Sequence, residues 1–95
     1  MGKKTVPFKP EGIEKLPENK PVLYRIKNAA GDDKYVGVAK RGRVQERLIE
    51  HLPGGKDHIP GSKVQIEQMP SIQDALKKEE RVIARSRPPY NKQGK

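Results

Sequence analysis

Apolar and polar positions fall into two rhythms along the chain, and the switch between them marks the elements. Val22-Leu23-Tyr24-Arg25-Ile26-Lys27 alternates with period two and predicts a strand. Asn28 to Asp33 has the composition of a turn, and Lys34-Tyr35-Val36-Gly37-Val38 predicts the partner strand of an antiparallel hairpin. Val36 and Val38 then share one face, Tyr35 and Gly37 the other. From Gly42 to Leu52 the period changes: Val44, Leu48 and Leu52 recur at i, i+4 and i+8, the buried stripe of a helix. Pro53-Gly54-Gly55 ends it, and the polar run from Lys56 to Gly61 reads as a mobile loop. Lys63 to Met69 alternates again, with Val64 and Ile66 on one side. A last helix is expected from Ile72 to about Arg85, with Ser71 as its cap and Ile72, Ala75, Leu76, Val82 and Ile83 as its apolar stripe.

The predicted order is β-β-α-β-α. It implies an α+β (α/β) fold, a small three-stranded antiparallel sheet flanked by helices. Residues 1–21 carry Pro7, Pro10, Pro17 and Pro21 and read as an irregular arm, pinned by Val6, Phe8, Ile13 and Leu16. A domain is expected over residues 22–91 and a basic tail over 92–95.

Composition narrows the class. Ninety-five residues make one domain, and with 32% apolar residues its core must be small. Cysteine is absent, so disulfides and thiolate metal sites are excluded. No run has the length of a membrane span and no signal-peptide pattern opens the chain, so a cytoplasmic location is expected. The 21 Lys and Arg against 12 Asp and Glu give a net charge of +9, which points to a polyanion partner, nucleic acid first.

Several residues fit a purely structural reading poorly. Glu79 lies four positions from both Ala75 and Ile83 and so interrupts its own helix's apolar stripe; a buried carboxylate needs a partner or a metal. Arg47 and His51 are one turn apart on the first helix, with Arg43 a turn earlier. A guanidinium there suits phosphate, an imidazole a proton or a phosphate oxygen. A solvated helix face would also carry both. Tyr24 and Tyr35 place two of four aromatics in one hairpin, where a cross-strand pair is the plain explanation. Gly37 weakens its strand and marks a close approach.

In this arrangement the sequence resembles the GIY-YIG nuclease superfamily, on its UvrC-like and homing-endonuclease-like branches. Val22-Leu23-Tyr24 stands for the first signature, with the tyrosine kept and the first two residues changed. Tyr35-Val36-Gly37 stands for the second, 11 positions on. Arg47 and His51 match the helix residues, Glu79-Glu80-Arg81-Val82-Ile83 the metal-binding segment, and Pro88-Pro89-Tyr90-Asn91 the closing motif. Val38 stands where UvrC-like proteins often carry Lys.

The resemblance implies a metal-dependent DNA endonuclease, structure-directed or weakly sequence-specific, with a place in DNA repair or recombination. It implies one Mg²⁺ or Mn²⁺ held by Glu79, and Arg47 offsetting transition-state charge. Tyr24 or Tyr35 would activate the water, its phenol acidified by Lys34, Arg47 and the metal; His51 would relay the proton, and Asn91 would orient the network or tie the tail down. Gly37 would let the DNA backbone come close, and Lys40, Arg41, Arg43, Arg85, Arg87 and Lys92 would position phosphates. The alternative is a catalytically weak nucleic-acid-binding module of the same fold. In either case a protein partner is a possible source of targeting.

Overall fold

The computed structural model describes residues 3–90. The fold is α+β: a four-stranded antiparallel sheet with three helices. The strands are β1 (Lys3–Pro7), β2 (Val22–Lys27), β3 (Asp33–Ala39) and β4 (Lys63–Gln68). The helices are α1 (Pro10–Ile13), α2 (Val44–Glu50) and α3 (Ile72–Ser86). The sheet order is β1-β4-β2-β3.

Two expectations need correction. The sheet has four strands rather than three, because the segment read as an irregular arm supplies an edge strand and a helical turn. β1 pairs antiparallel with β4, Val6 opposite Val64. Its burial explains why alternation did not reveal it: only Val6 faces the core, and Lys3, Lys4 and Thr5 are exposed. Pro7 at its end suits an edge strand, where its missing N–H breaks no ladder bond. The apolar points of the arm are core residues: Val6, Phe8, Ile13 and Leu16 are at most 8% exposed.

The pairing register sorts the sheet into two faces. Val22, Tyr24 and Ile26 of β2 lie opposite Ala39, Gly37 and Tyr35 of β3, and opposite Gln68, Ile66 and Val64 of β4. With Phe8, α1 and α2 these residues form one continuous core that includes Val44 and Leu48. Burying two such helix residues and the aliphatic row beneath them, at about 1.5–3 kcal/mol each, is what holds α2 against the sheet. The other face carries Leu23, Arg25 and Val36, and α3 packs there across β3 and β2.

Local sequence sets the helix limits. Gly42 adopts a left-handed φ of 81°, which delays α2 to Val44. On α3, the Ser71 hydroxyl accepts the Asp74 N–H at 3.2 Å, the expected cap. The α3 stripe is only partly used: Ala75 is buried, whereas Leu76 is 48% exposed. The run from Lys56 to Gly61 is not a free loop. Asp57 N–H donates to the Glu50 carbonyl and Ile59 N–H to that of His51, each at 2.9 Å, and Ile59 is buried.

Candidate functional site

At the centre of the α2-covered face three rings meet. Ring centroids are 6.1 Å apart for Tyr24 and Tyr35, 5.8 Å for Tyr24 and His51, and 4.9 Å for Tyr35 and His51. Strand pairing produces this arrangement. Tyr24 lies opposite Gly37, so Tyr24 and Tyr35 are diagonal neighbours and not a direct cross-strand pair. A Cβ on Gly37 would fall 2.6 Å from both Cζ and Oη of Tyr24. The close approach this glycine permits is therefore made by a phenol of the same chain. Gly37 is buried beneath Tyr24, which corrects the expectation that it faces the DNA backbone.

His51 caps the C-terminus of α2 and is 2% exposed. Its Nδ1 lies 2.8 Å from the Asp57 carbonyl, and its Nε2 lies 3.0 Å from Tyr24 Oη. A carbonyl can only accept, so Nδ1 carries the proton. Burial holds the imidazole below its usual pKa, so the ring is neutral near pH 7 and its Nε2 lone pair accepts the Tyr24 O–H. Asp57 acts through its backbone carbonyl, for which the sequence holds no signal.

Burial is also the largest influence on both phenols. It pushes Tyr24 well above the usual tyrosine value; the neighbouring Tyr35 adds to this, and Arg47 opposes it by charge and hydrogen bond. Tyr35 is raised for the same first reason, with Arg47 and a hydrogen bond with Tyr24 opposing. Desolvation outweighs the guanidinium, so Arg47 by itself does not acidify the phenols. Lys34 lies at the bulge where the β2–β3 register shifts and is not among the main charges acting on either phenol. The two tyrosines differ in access: Tyr24 is 0% exposed, whereas Tyr35 is half-buried and lines an open pocket of about 430 Å³ with His51, His58 and Tyr90.

Arg47 projects from α2, with Nη1 3.1 Å from Glu50 Oε1 and its side chain 38% exposed. Together with Lys40 and Arg43 it lines a second open pocket, of about 230 Å³. Arg43 is paired with Glu46 at 2.9 Å. Glu79 is half-buried on α3. Burial raises its pKa, the neighbouring Glu80 adds to this, and its charge reaches both tyrosines. No hydrogen bond or ion pair to another described residue satisfies its carboxylate.

The structure thus brings together Tyr24, Tyr35, Arg47, His51 and Glu79, with Lys40 and Arg43 at the rim. Arg41 lines neither pocket. Arg85 lies on the other face of the sheet and Arg87 follows α3 as its exposed cap, with φ 45°. Asn91 and Lys92 fall outside the described residues. Tyr90, the last described residue, donates its N–H to the Lys34 carbonyl at 3.1 Å.

Among the described residues no three His, Cys, Asp or Glu side chains form a metal cluster. A single half-buried carboxylate whose charge reaches both tyrosines still fits Mg²⁺, which often takes one or two carboxylates and otherwise keeps water or binds substrate phosphate. Also among the described residues, no helix is long and apolar enough to cross a membrane. No family model matches the chain, and no curated protein matches it.

Proposed function

We propose that this protein is a divalent-metal-dependent DNA endonuclease of the GIY-YIG type, acting in the cytoplasm on structured or weakly specified sites. One observation carries the reading. Tyr35 at the open pocket, Tyr24 and His51 form one line of adjacent rings, with Tyr24 Oη 3.0 Å from His51 Nε2, and the charges of Arg47 and Glu79 act on both phenols.

The outward-facing Tyr35 is the phenol that meets the attacking water. Because neither phenol is ionised near neutrality, the proton moves along the line. Water gives its proton to Tyr35, whose own proton passes to Tyr24, and that of Tyr24 to His51 Nε2. His51 ends as an imidazolium with Nδ1–H still donating to Asp57. The water oxygen bonds to phosphorus as the bond from phosphorus to the 3′ oxygen breaks. The 3′ oxygen leaves as an alkoxide and takes a proton from solvent, giving 5′-phosphate and 3′-hydroxyl ends, and His51 then returns its proton to solvent. Arg47 keeps donors free of Glu50 and offsets charge on the phosphoryl oxygens in the transition state. Glu79 would hold Mg²⁺ or Mn²⁺, which supplies charge neutralisation at the phosphate and the leaving oxygen.

Nicking of supercoiled plasmid with Mg²⁺ or Mn²⁺ tests the reading. Glu79→Ala and Arg47→Ala should each abolish it, and cleavage that survives both sinks the assignment. The burial that keeps both phenols neutral favours a second reading, a DNA-binding module that needs a protein partner to act. Tight DNA binding with no nicking by the wild-type chain would select it.

A further inference from the structure

The second face of the sheet is only half covered. α3 lies over β3 and β2 and leaves the face of β4 open. Register places Arg25 opposite Gln65 and Lys27 opposite Lys63 on this face, while Tyr24 and Ile66 alternate to the other. On α3, at about 100° per residue, Lys78, Arg81 and Arg85 fall on one flank of the Ala75–Val82 contact line and Glu79 on the other. Their flank looks over β2 and β4, as the 2.7 Å bond from Lys78 Nζ to Glu67 Oε1 shows. Arg25, Lys78, Arg81 and Arg85, with Val82, enclose a cleft of about 250 Å³ between helix and sheet.

The charge of this groove is poorly compensated. Glu67 is taken by Lys78, and Asp33 is shared by Lys27 at 3.1 Å and Arg25 at 3.6 Å. Asp74, a turn before Lys78, falls on the same flank, so six cations against three acids leave a surplus of three, a third of the net charge of +9. None of the ion pairs among the described residues involves Arg81 or Arg85, and both are exposed. No aromatic side chain lies here. Tyr24 and Phe8 belong to the opposite core, and Tyr35 and Tyr90 line the pocket beside His51. Single-strand binders stack bases on aromatic rings. A groove of guanidinium, ammonium and amide groups without rings recognises phosphates.

We propose that this groove holds the phosphodiester backbone of duplex DNA, at a second site behind the sheet from the Tyr24–His51 cluster. The site rests on the reading of DNA as the partner and not on the cleavage chemistry. Each phosphate it neutralises contributes affinity without sequence information.

Duplex binding in metal-free buffer with chelator, followed by fluorescence anisotropy across salt concentrations, tests the groove apart from cleavage. Arg81→Gln/Arg85→Gln should lower the slope of log affinity against log salt by about 1.8, two contacts at 0.9 each, and weaken binding about tenfold or more at low salt. Arg81→Lys/Arg85→Lys should keep the wild-type slope. Lys9→Gln/Lys15→Gln, the same charge change at exposed sites flanking α1, should leave the slope nearly unchanged. An unchanged slope in the first variant, or an equal loss in the α1 variant, overturns the proposal. So does a loss confined to single-stranded DNA. Failure of plasmid nicking alone, with these binding results intact, counts against the catalytic reading only.

Discussion

Replacing Gly37 by Ala tests how the ring cluster is built. The added Cβ would lie 2.6 Å from Cζ and Oη of Tyr24 and 3.0 Å from Cε2 of Tyr35, where ordinary contact begins near 3.4 Å. Tyr24 must therefore retreat by about 0.8 Å. It has nowhere to go, being 0% exposed within the core. Overpacking of this kind costs about 1–3 kcal/mol. Loss of glycine's freedom in the unfolded chain returns about 0.4–1 kcal/mol. A net cost of about 1–2 kcal/mol lowers Tm by roughly 5–15 °C in a domain of this size. The same displacement disturbs the 3.0 Å contact to His51, so nicking should fall by about a hundredfold. Thermal melts of the wild type, Gly37→Ala, Tyr24→Leu and the double variant decide the matter. Leucine has neither Cζ nor Oη, so alanine at position 37 should be neutral or stabilising in that background. Additivity of the two changes within about 0.5 kcal/mol would refute the steric account.

Three other outcomes follow from the same geometry. Phe8→Ala should cost about 3–5 kcal/mol, enough to unfold much of the population at 37 °C, whereas a dispensable arm would show no change in a chemical melt. His51 has a folded pKa below its unfolded value near 6.5, so its contribution to stability is full above that pH and is lost as pH falls through the folded pKa. Tm measured across pH 5–8 should therefore decline below about pH 6.5 in the wild type, with a shallower decline in His51→Gln. Glu79 is a half-buried carboxylate with a raised pKa, so Glu79→Gln should abolish nicking yet raise stability at pH 7, by about 0.5 kcal/mol or less given its exposure. That gain should vanish as pH falls through the raised pKa, where the native carboxylate is already protonated; a gain that persists in acid would mean the charge is not its source.

Legibility in the sequence tracked how many apolar residues each element commits to the core. β2 emerged at its observed limits because four of its six residues are buried. Ser71 and its cap were visible because a cap is a local device. β1 escaped because its pairing with β4 buries only one of its side chains. Glu79 stood out as a carboxylate misplaced in an apolar stripe, and Arg47 and His51 by their one-turn spacing. The direction of the phenol shifts was not readable, since it depends on burial that only the folded sheet creates. Nor was the tautomer of His51, which a backbone carbonyl six residues on determines. Gly37 was noticed correctly as a point of close approach, but the group that approaches is Tyr24, and periodicity along one strand does not name a neighbour on another.

The pairing of β1 with β4 also bears on the order of events in folding. Lys3 and Glu67 are partners more than sixty positions apart, whereas β2 and β3 meet through a short turn. Local hairpins close within microseconds, and long-range closure comes later because its entropy cost must be met first. During synthesis residues 3–7 emerge before β4 and yet dock only once it has formed, so the outer edge of β4 waits unpaired. An open edge is a template for any matching strand. The segment that completes the sheet in one chain is therefore also the segment that a second nascent copy can supply, which makes strand exchange through β1 the natural misassembly of this fold.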